Sequence, residues 1–339
     1  MRLNVLYQFN EKYVPYAGIS MVSLMENNKV IEEICIYVLG ENLTQHSQEK
    51  LTTQVQRYGR LIHFINTDSL IEKMCQLRIP KYRGSYATNM KMFVTDYLND
   101  DIDRLLYVDS DTIICGDIRS LILEDMDNKP IAMVLDSLGA RHKLAIGLDK
   151  DDSYFNGGVI LYDFRKWRQN KCTERIQEYV TDIRAHYMAP DQDLLNVVLK
   201  NQIKRLGISY NLQPIHTVYT YEQYNRAFGQ KVYYSKDEIN TAVTNPQILH
   251  SFRYLGEFPW HKNSLHPHTS YFDKYMKLSL WKDYQKQPTE LDGAVFRIER
   301  WLYKHLPRKI FLIIFKINYE IFSWKSNQDS LKQKNNKNM

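Results

Sequence analysis

A chain of 339 residues with 44% hydrophobic and 25% charged side chains is long enough for one large or two ordinary domains, and it has the balance of a globular protein rather than a disordered or fibrous one. Its net charge of +6 fits an anionic ligand or membrane surface and is too mild to demand nucleic acid. Cys35, Cys75, Cys115 and Cys172 are scattered, with no CxxC and no metal-ligand spacing. Buried free thiols are the reading for Cys35 and Cys115, which sit in apolar runs. The 25 tyrosines exceed what a core requires and point to polar-aromatic clefts. The first residues enter a strand directly, without the long apolar region of a secretory signal, so a cytoplasmic location is expected.

In chain order, Leu3 to Tyr7 reads as a strand followed by a polar loop over Gln8 to Tyr13. A helix follows over Tyr16 to Asn27, then a strand over Ile34 to Leu39, a polar helix over Glu41 to Tyr58 and a strand over Leu61 to Ile65. Met90 to Leu98 reads as a helix leading into the strand Leu105–Val108. Strands and helices alternating in this way argue for a parallel, doubly wound α/β sheet, whose ligands sit at the carboxyl ends of strands.

The fourth strand ends in Asp109-Ser110-Asp111. Were strand geometry to persist, both carboxylates would share a face, and their repulsion would raise the pKa of one of them or call for a cation between them. A divalent metal that also binds phosphate oxygens answers that need; a solvated acidic turn is the plainer alternative. Farther on, Ile131 to Leu135 is a strand ending at Asp136, and Tyr154-Phe155-Asn156-Gly157-Gly158 leads two glycines into another. Those glycines mark either a β-bulge or a close approach by a ligand or another backbone. Pro190-Asp191-Gln192-Asp193 has the look of a helix start, its acids either dipole partners or a polar cluster at a helix mouth. His250 ends a last short strand and would complete the two aspartates with an imidazole, a set suited to Mn²⁺ more than Mg²⁺. The neighbouring His261, His266 and His268 dilute that signal.

With these stretches in sequence, the chain resembles the retaining nucleotide-sugar glycosyltransferases of family 8, from Leu3 to about Trp260. The resemblance implies a GT-A fold, a UDP-sugar donor (UDP-galactose or UDP-glucose) and a divalent metal. It places Asp109 and Asp111 as the DXD aspartates flanking Ser110, with His250 as third ligand. Gln8, Asn10 and Tyr13 fall where the family grips uracil and ribose, and Lys91 where many members set an arginine against the donor. Asn156, Gly157 and Gly158 match the loop lining the sugar pocket. Asp191 and Gln192 match the pair beside the anomeric carbon, and Asp136 an acid near the sugar. The family's ending His-x-x-Gly-x-x-Lys-Pro-Trp is here a longer His250…Gly256-Glu257-Phe258-Pro259-Trp260. The phosphate-binding lysine is therefore missing, and Lys262, Arg253 and Lys91 are the candidates to supply its charge.

Transfer from such a donor builds charge on the departing β-phosphate, which a bound metal would stabilise. No side chain offers an obvious nucleophile, so same-face attack by the acceptor hydroxyl is expected, with Gln192 positioning or stabilising. The expected acceptor is a glycan under assembly on a protein or lipid carrier. An inert nucleotide-sugar-binding scaffold is the alternative from another class. A nucleotidyltransferase would want a glycine-rich N-terminal phosphate loop, which Gln8 to Lys12 does not supply.

The expected organisation is a catalytic domain over 1–265, a helical region over 266–324 and a disordered, Lys/Asn/Gln-rich end over 325–339. From about 291, Arg297, Arg300, Lys304, Arg308, Lys309 and Lys316 alternate with Phe296, Trp301, Tyr303, Phe311, Phe315, Tyr319, Phe322 and Trp324. Two readings compete. In one, the helices lie on the inner face of an anionic membrane; in the other, they pack on the catalytic domain.

Overall fold

The computed structural model describes residues 1–79, 81–82, 84–99, 101–138, 140–182 and 189–321. Among them run the strands β1 (Arg2–Asn10), β2 (Glu33–Glu41), β3 (Leu61–Ile65), β4 (Arg104–Val108), β5 (Thr112–Ile114), β6 (Ile131–Leu135), β7 (Phe155–Asp163), β8 (Ile203–Arg205) and β9 (Ile248–His250). The main sheet has the order β3-β2-β1-β4-β7-β6-β8, and β5 pairs with β9 in a small second sheet. Consecutive residues of β4, Leu105 to Val108, are at most 1% exposed. Both faces of the sheet are therefore covered, which is why these strands read as unbroken apolar runs.

Pairing is parallel from β3 through β4 and again between β6 and β8, but β7 runs antiparallel to both β4 and β6. That reversal builds the site. The amino end of β7, with Asn156, Gly157 and Gly158, is brought beside the carboxyl end of β4, and the Asp109 amide donates to the Gly158 carbonyl at 2.8 Å. On the other side of β7, the Asp136 amide donates to the Tyr154 carbonyl at 2.8 Å. The small sheet then pairs Thr112 with His250, bringing a distant strand against the acidic turn.

Three local features differ from the sequence reading. β1 continues through Asn10, which pairs with Glu41, because Phe9 is a core residue at 2% exposed. Met90 to Leu98 is not an α-helix but two 3₁₀ segments, Ala87–Met92 and Val94–Tyr97. Met90, Lys91, Met92, Phe93 and Val94 are all buried, so the segment has no solvent stripe of the kind an amphipathic helix needs, and the Gln8 side chain takes the Lys91 amide at 2.9 Å. The acid pair does not continue the strand either. Thr112 turns back to donate to the Asp109 carbonyl, by its amide at 3.1 Å and its hydroxyl at 2.7 Å.

The helix Thr269–Leu278 buries Phe272 and Tyr275 in the core built around the main sheet, where Trp281 joins them. The helix Ala294–His305 and the helical residues 308–321 then form a second core, with Tyr303, Phe311 and Leu312 against Ile215, Tyr219, Tyr224 and Tyr254. Among the described residues, the tail aromatics Tyr303, Phe311 and Phe315 are thus packing residues. Phe322, Trp324 and 325–339 lie outside the described residues.

Candidate active site

Asp109, Asp111 and His250 converge. The His250 Nε2 lies 3.5 Å from Asp109 Oδ2 and 3.3 Å from Asp111 Oδ1, and one ligand atom from each residue falls within 4.8 Å of the others. Cis ligands about 2.1 Å from an octahedral cation stand roughly 3 Å apart, so the set fits a small divalent ion. The tautomer fits as well. His250 Nδ1 faces the Asn156 Oδ1 at 3.1 Å and the Asn211 Oδ1 at 3.0 Å. Both are acceptors, the Asn211 amide group itself donating to Asn156 Oδ1 at 2.9 Å. Nδ1 must therefore carry the proton, which leaves the Nε2 lone pair aimed at the carboxylates.

Burial works against charge on His250, but Asp111 and Asp109 outweigh it, and the imidazole pKa is raised. Burial pushes Asp109 above the usual carboxylate range, with Lys91 pulling it down and Asp111 pushing it up. Tyr107 also donates to Asp109. Gly158 is required here: a Cβ on it would come within 2.1 Å of the His250 Cε1. The bulge reading of the double glycine holds, the pairing of β7 with β6 jumping from Met133–Ile160 to Val134–Asn156, while what approaches Gly158 is a side chain rather than another backbone. His266 and His268 support the His250 strand. His268 bonds Ser251 at 3.1 Å and His266 bonds the Phe252 carbonyl at 3.0 Å. Burial lowers the pKa of each.

Beside this centre the expected sugar-side residues form one locked network. Gln192 accepts the Gly157 amide at 2.9 Å, and its amide group donates to the Tyr154 hydroxyl at 3.0 Å and to Asp136 at 3.3 Å. Asp136 also accepts from Asn156 at 2.9 Å and from the Leu138 amide at 2.8 Å. Asp193 accepts from Tyr154 at 2.5 Å and from the Ala189 amide at 2.7 Å, and Asn196 clasps both backbone groups of Phe155. The helix Pro190–Val198 is thereby fixed to the start of β7. Asp191 pairs with Lys91 at 2.6 Å.

All of this opens on a cleft of about 990 Å³, lined by Gln8, Asn10, Tyr13, Asp109, Ser110, Asp111, Asp136, Asn156, Gly157, Gly158, Asp191, Gln192 and His250 among others. Asn10 Oδ1 is buried with no hydrogen-bond partner among the described residues, an acceptor open to a ligand donor. Gln8 lines the cleft but uses both ends of its amide on the neighbouring 3₁₀ segment, donating to the Thr88 carbonyl at 2.8 Å and accepting from Lys91.

Two expected residues lie elsewhere. Lys91 is 1% exposed beneath the cleft floor. Gly256 is outside the lining, in a tight turn where Leu255 and Gly256 take φ of 53° and 75° under the Phe296 ring. Sequence alone gives no role to Asn211, Tyr154, Tyr107 and Asn196: the last three lie within the stretches that carry the resemblance, and Asn211 stands in no recognisable motif.

Residues 4–264 match the family described as Glycosyl transferase family 8. The chain is 28% identical over 310 residues to a lipopolysaccharide 1,2-glucosyltransferase of Escherichia coli K12, spanning 90% of this chain and 85% of that protein. It is 25% identical over 277 residues to general stress protein A of Bacillus subtilis (80% and 92%). It is 24% identical over 288 residues to a lipopolysaccharide 1,3-galactosyltransferase of Salmonella typhimurium (83% and 79%). Among solved structures, the galactosyltransferase LgtC in complex with donor and acceptor sugar analogues matches with a TM-score of 0.65 at 19% identity, over 83% of this chain and 96% of that one. The fold is GT-A.

Proposed function

This chain belongs to glycosyltransferase family 8 and is a hexosyltransferase, and we propose that it takes its hexose from UDP-galactose or UDP-glucose with Mn²⁺, or less well Mg²⁺, held by Asp109, Asp111 and His250. The observation that carries this reading is the His250 imidazole, its Nδ1 proton engaged by two amide oxygens and its Nε2 at 3.3 and 3.5 Å from the two carboxylates. A divalent ion bound there would neutralise charge on the departing diphosphate. The uracil and ribose would lie toward Asn10 and Tyr13, and the hexose toward Asp136, Asn156, Asp191 and Gln192.

The network also bears on stereochemistry. Asp191 is paired with Lys91, Asp136 accepts three hydrogen bonds, and both ends of the Gln192 amide are engaged. None of these is a free nucleophile. This supports same-face attack by the acceptor hydroxyl, with the leaving phosphate taking its proton and Gln192 shaping the pocket at the anomeric carbon. A panel of UDP-sugars, assayed for hydrolysis with and without Mn²⁺, tests the donor; no turnover of any UDP-hexose with Mn²⁺ would rule the reading out. On the accepted donor, Gln192→Ala is expected to lower turnover on the order of 10²-fold with little change in donor KM. Near-normal turnover would remove Gln192 from the chemistry.

The acceptor we propose is a glycan under assembly on a lipid carrier or, less directly supported, on a protein; two of the relatives are named for lipopolysaccharide transfer. No helix among the described residues is long and apolar enough to cross a membrane. Yet Ile310, Ile313, Ile317 and Ile321, each at least 49% exposed, form one stripe along the tail helix. Val295, Ile298 and Trp301 are exposed on the helix before it, and the exposed Arg297, Lys304 and Lys309 supply positive charge. Such a surface suits the interface of an anionic bilayer. Deleting 291–339 would strip Tyr303 and Phe311 from the second core, so point changes are the cleaner test. Ile313→Asp with Ile317→Asp is expected to weaken binding to phosphatidylglycerol vesicles about tenfold or more. Equal binding by variant and parent would defeat the membrane reading.

A further inference from the structure

We propose that Arg253 is the residue that meets the β-phosphate of the donor, its guanidinium held in place by the Phe258 ring. This rests on the UDP-sugar reading and names a residue for it. Two carboxylates and one divalent ion sum to no net charge, so a diphosphate entering beside them needs a further cation. Among the described lysines and arginines, Lys12 and Arg253 line the cleft. Lys12 is 65% exposed and bonded to Glu290. Its ammonium meets the same Glu290 carboxylate that Arg253 faces, but on a far more exposed arm, Arg253 being 23% exposed. Lys91 is committed beneath the floor to Asp191 and the Gly157 carbonyl. Lys262 stands on the outer surface.

Arg253 has both the position and the rigidity. It follows His250 by three residues, on a segment fixed by the edge-to-face contact of Phe252 with the His250 ring at 5.1 Å. Its guanidinium sits 5.0 Å over the Phe258 ring. Phe258 stacks on Trp260 at 4.3 Å and Trp260 on Tyr16 at 3.9 Å, so the platform is a three-ring pile anchored in the core. A planar cation seated on a ring keeps its N–H edge for an anion, and a fork of two such bonds matches a phosphate. Its present anionic neighbour, Glu290, is 61% exposed at 3.7 Å, a screened pair that a phosphate can replace. The same arrangement accounts for a phenylalanine directly before Pro259-Trp260: it carries the arginine.

The test compares UDP with UMP, which lacks the β-phosphate, by calorimetry on the full chain with Mn²⁺. Arg253→Met is expected to weaken UDP binding about 10- to 100-fold while UMP stays within about threefold. Arg253→Lys, which keeps the charge and loses the fork, should fall between parent and methionine variant. UMP binding doubles as the check that each variant is folded, and Arg253→Lys decides the matter if the methionine variant is not. An unchanged ratio of UDP to UMP affinity overturns the assignment and leaves the donor reading standing. Failure of the parent chain to bind UDP with Mn²⁺ overturns both.

Discussion

Asp111→Ala is expected to abolish Mn²⁺-dependent UDP binding and to lower sugar transfer by about 10³-fold. The substitution removes one of the two carboxylates proposed to hold the ion yet leaves the local backbone tied, because the Asp111 carbonyl still accepts the Ser251 amide at 2.8 Å. Charge stabilisation by a bound metal supplies several kcal/mol in such reactions, and at 1.36 kcal/mol per decade about 4 kcal/mol is the 10³-fold stated. His250 would then face Asp109 alone, a two-ligand remnant too weak to hold the ion at micromolar concentration. Titration of Mn²⁺ into the chain with UDP present, followed by single-turnover transfer, separates lost binding from lost chemistry. Proton competition should show in the parent chain. Asp109 and His250 both have raised pKa values, so each holds a proton more tightly than the free side chain and must release it to bind a metal. Mn²⁺ affinity should therefore fall as pH drops from about 8 to about 6. A variant that binds Mn²⁺ and UDP within threefold of the parent would show that the acid pair is only a turn.

That pair illustrates what the sequence makes legible and what it does not. The apolar runs of β1 to β4 are visible because both faces are buried, and hydrophobicity alone marks them. Asp109, Asp111 and His250 are visible because unlike chemistry stops those runs abruptly. The convergence of the acids is not: it comes from a turn at Asp109 and from β5 pairing with β9, not from alternation along a strand. The reversed direction of β7 is equally hidden, since an apolar strand reads the same in either orientation. Asn211 is hidden for a different reason. Its role is to accept a hydrogen bond from an imidazole far along the chain, and an asparagine three residues before the helix that Pro214 opens carries no sign of that. In the tail, basic and aromatic residues at helical spacing permit both packing and membrane contact. Only the structure separates buried Tyr303 and Phe311 from exposed Ile313 and Ile317.

Lys91→Met should cost more stability than any other single change in the cleft floor. The lysine is 1% exposed, with its ammonium 2.6 Å from Asp191 Oδ2, 3.9 Å from Asp109 Oδ1 and 2.8 Å from the Gly157 carbonyl, above the Tyr107 ring at 4.2 Å. Methionine keeps most of the volume, so cavity formation is minor. What remains is two carboxylates that have lost their cation, Asp191 with its side chain 11% exposed and Asp109 31% exposed on the cleft wall, a change of about 3–5 kcal/mol. With an unfolding entropy near 2.1 cal/mol/K per residue, a chain of this length loses roughly 4 to 7 °C in Tm. The pH dependence carries the diagnosis. Burial already holds the Asp109 carboxyl above the usual range, with Lys91 pulling it down, so without Lys91 it rises further, the folded chain holds that proton to higher pH, and stability declines as pH rises. The Tm deficit against the parent should therefore be largest near pH 7 and narrow toward about pH 5, as the Asp109 carboxylate takes up a proton. A deficit that stays constant over that range would mean Lys91 acts by filling space. No deficit at all would mean the ammonium is not the counter-charge on which the floor of the site is built.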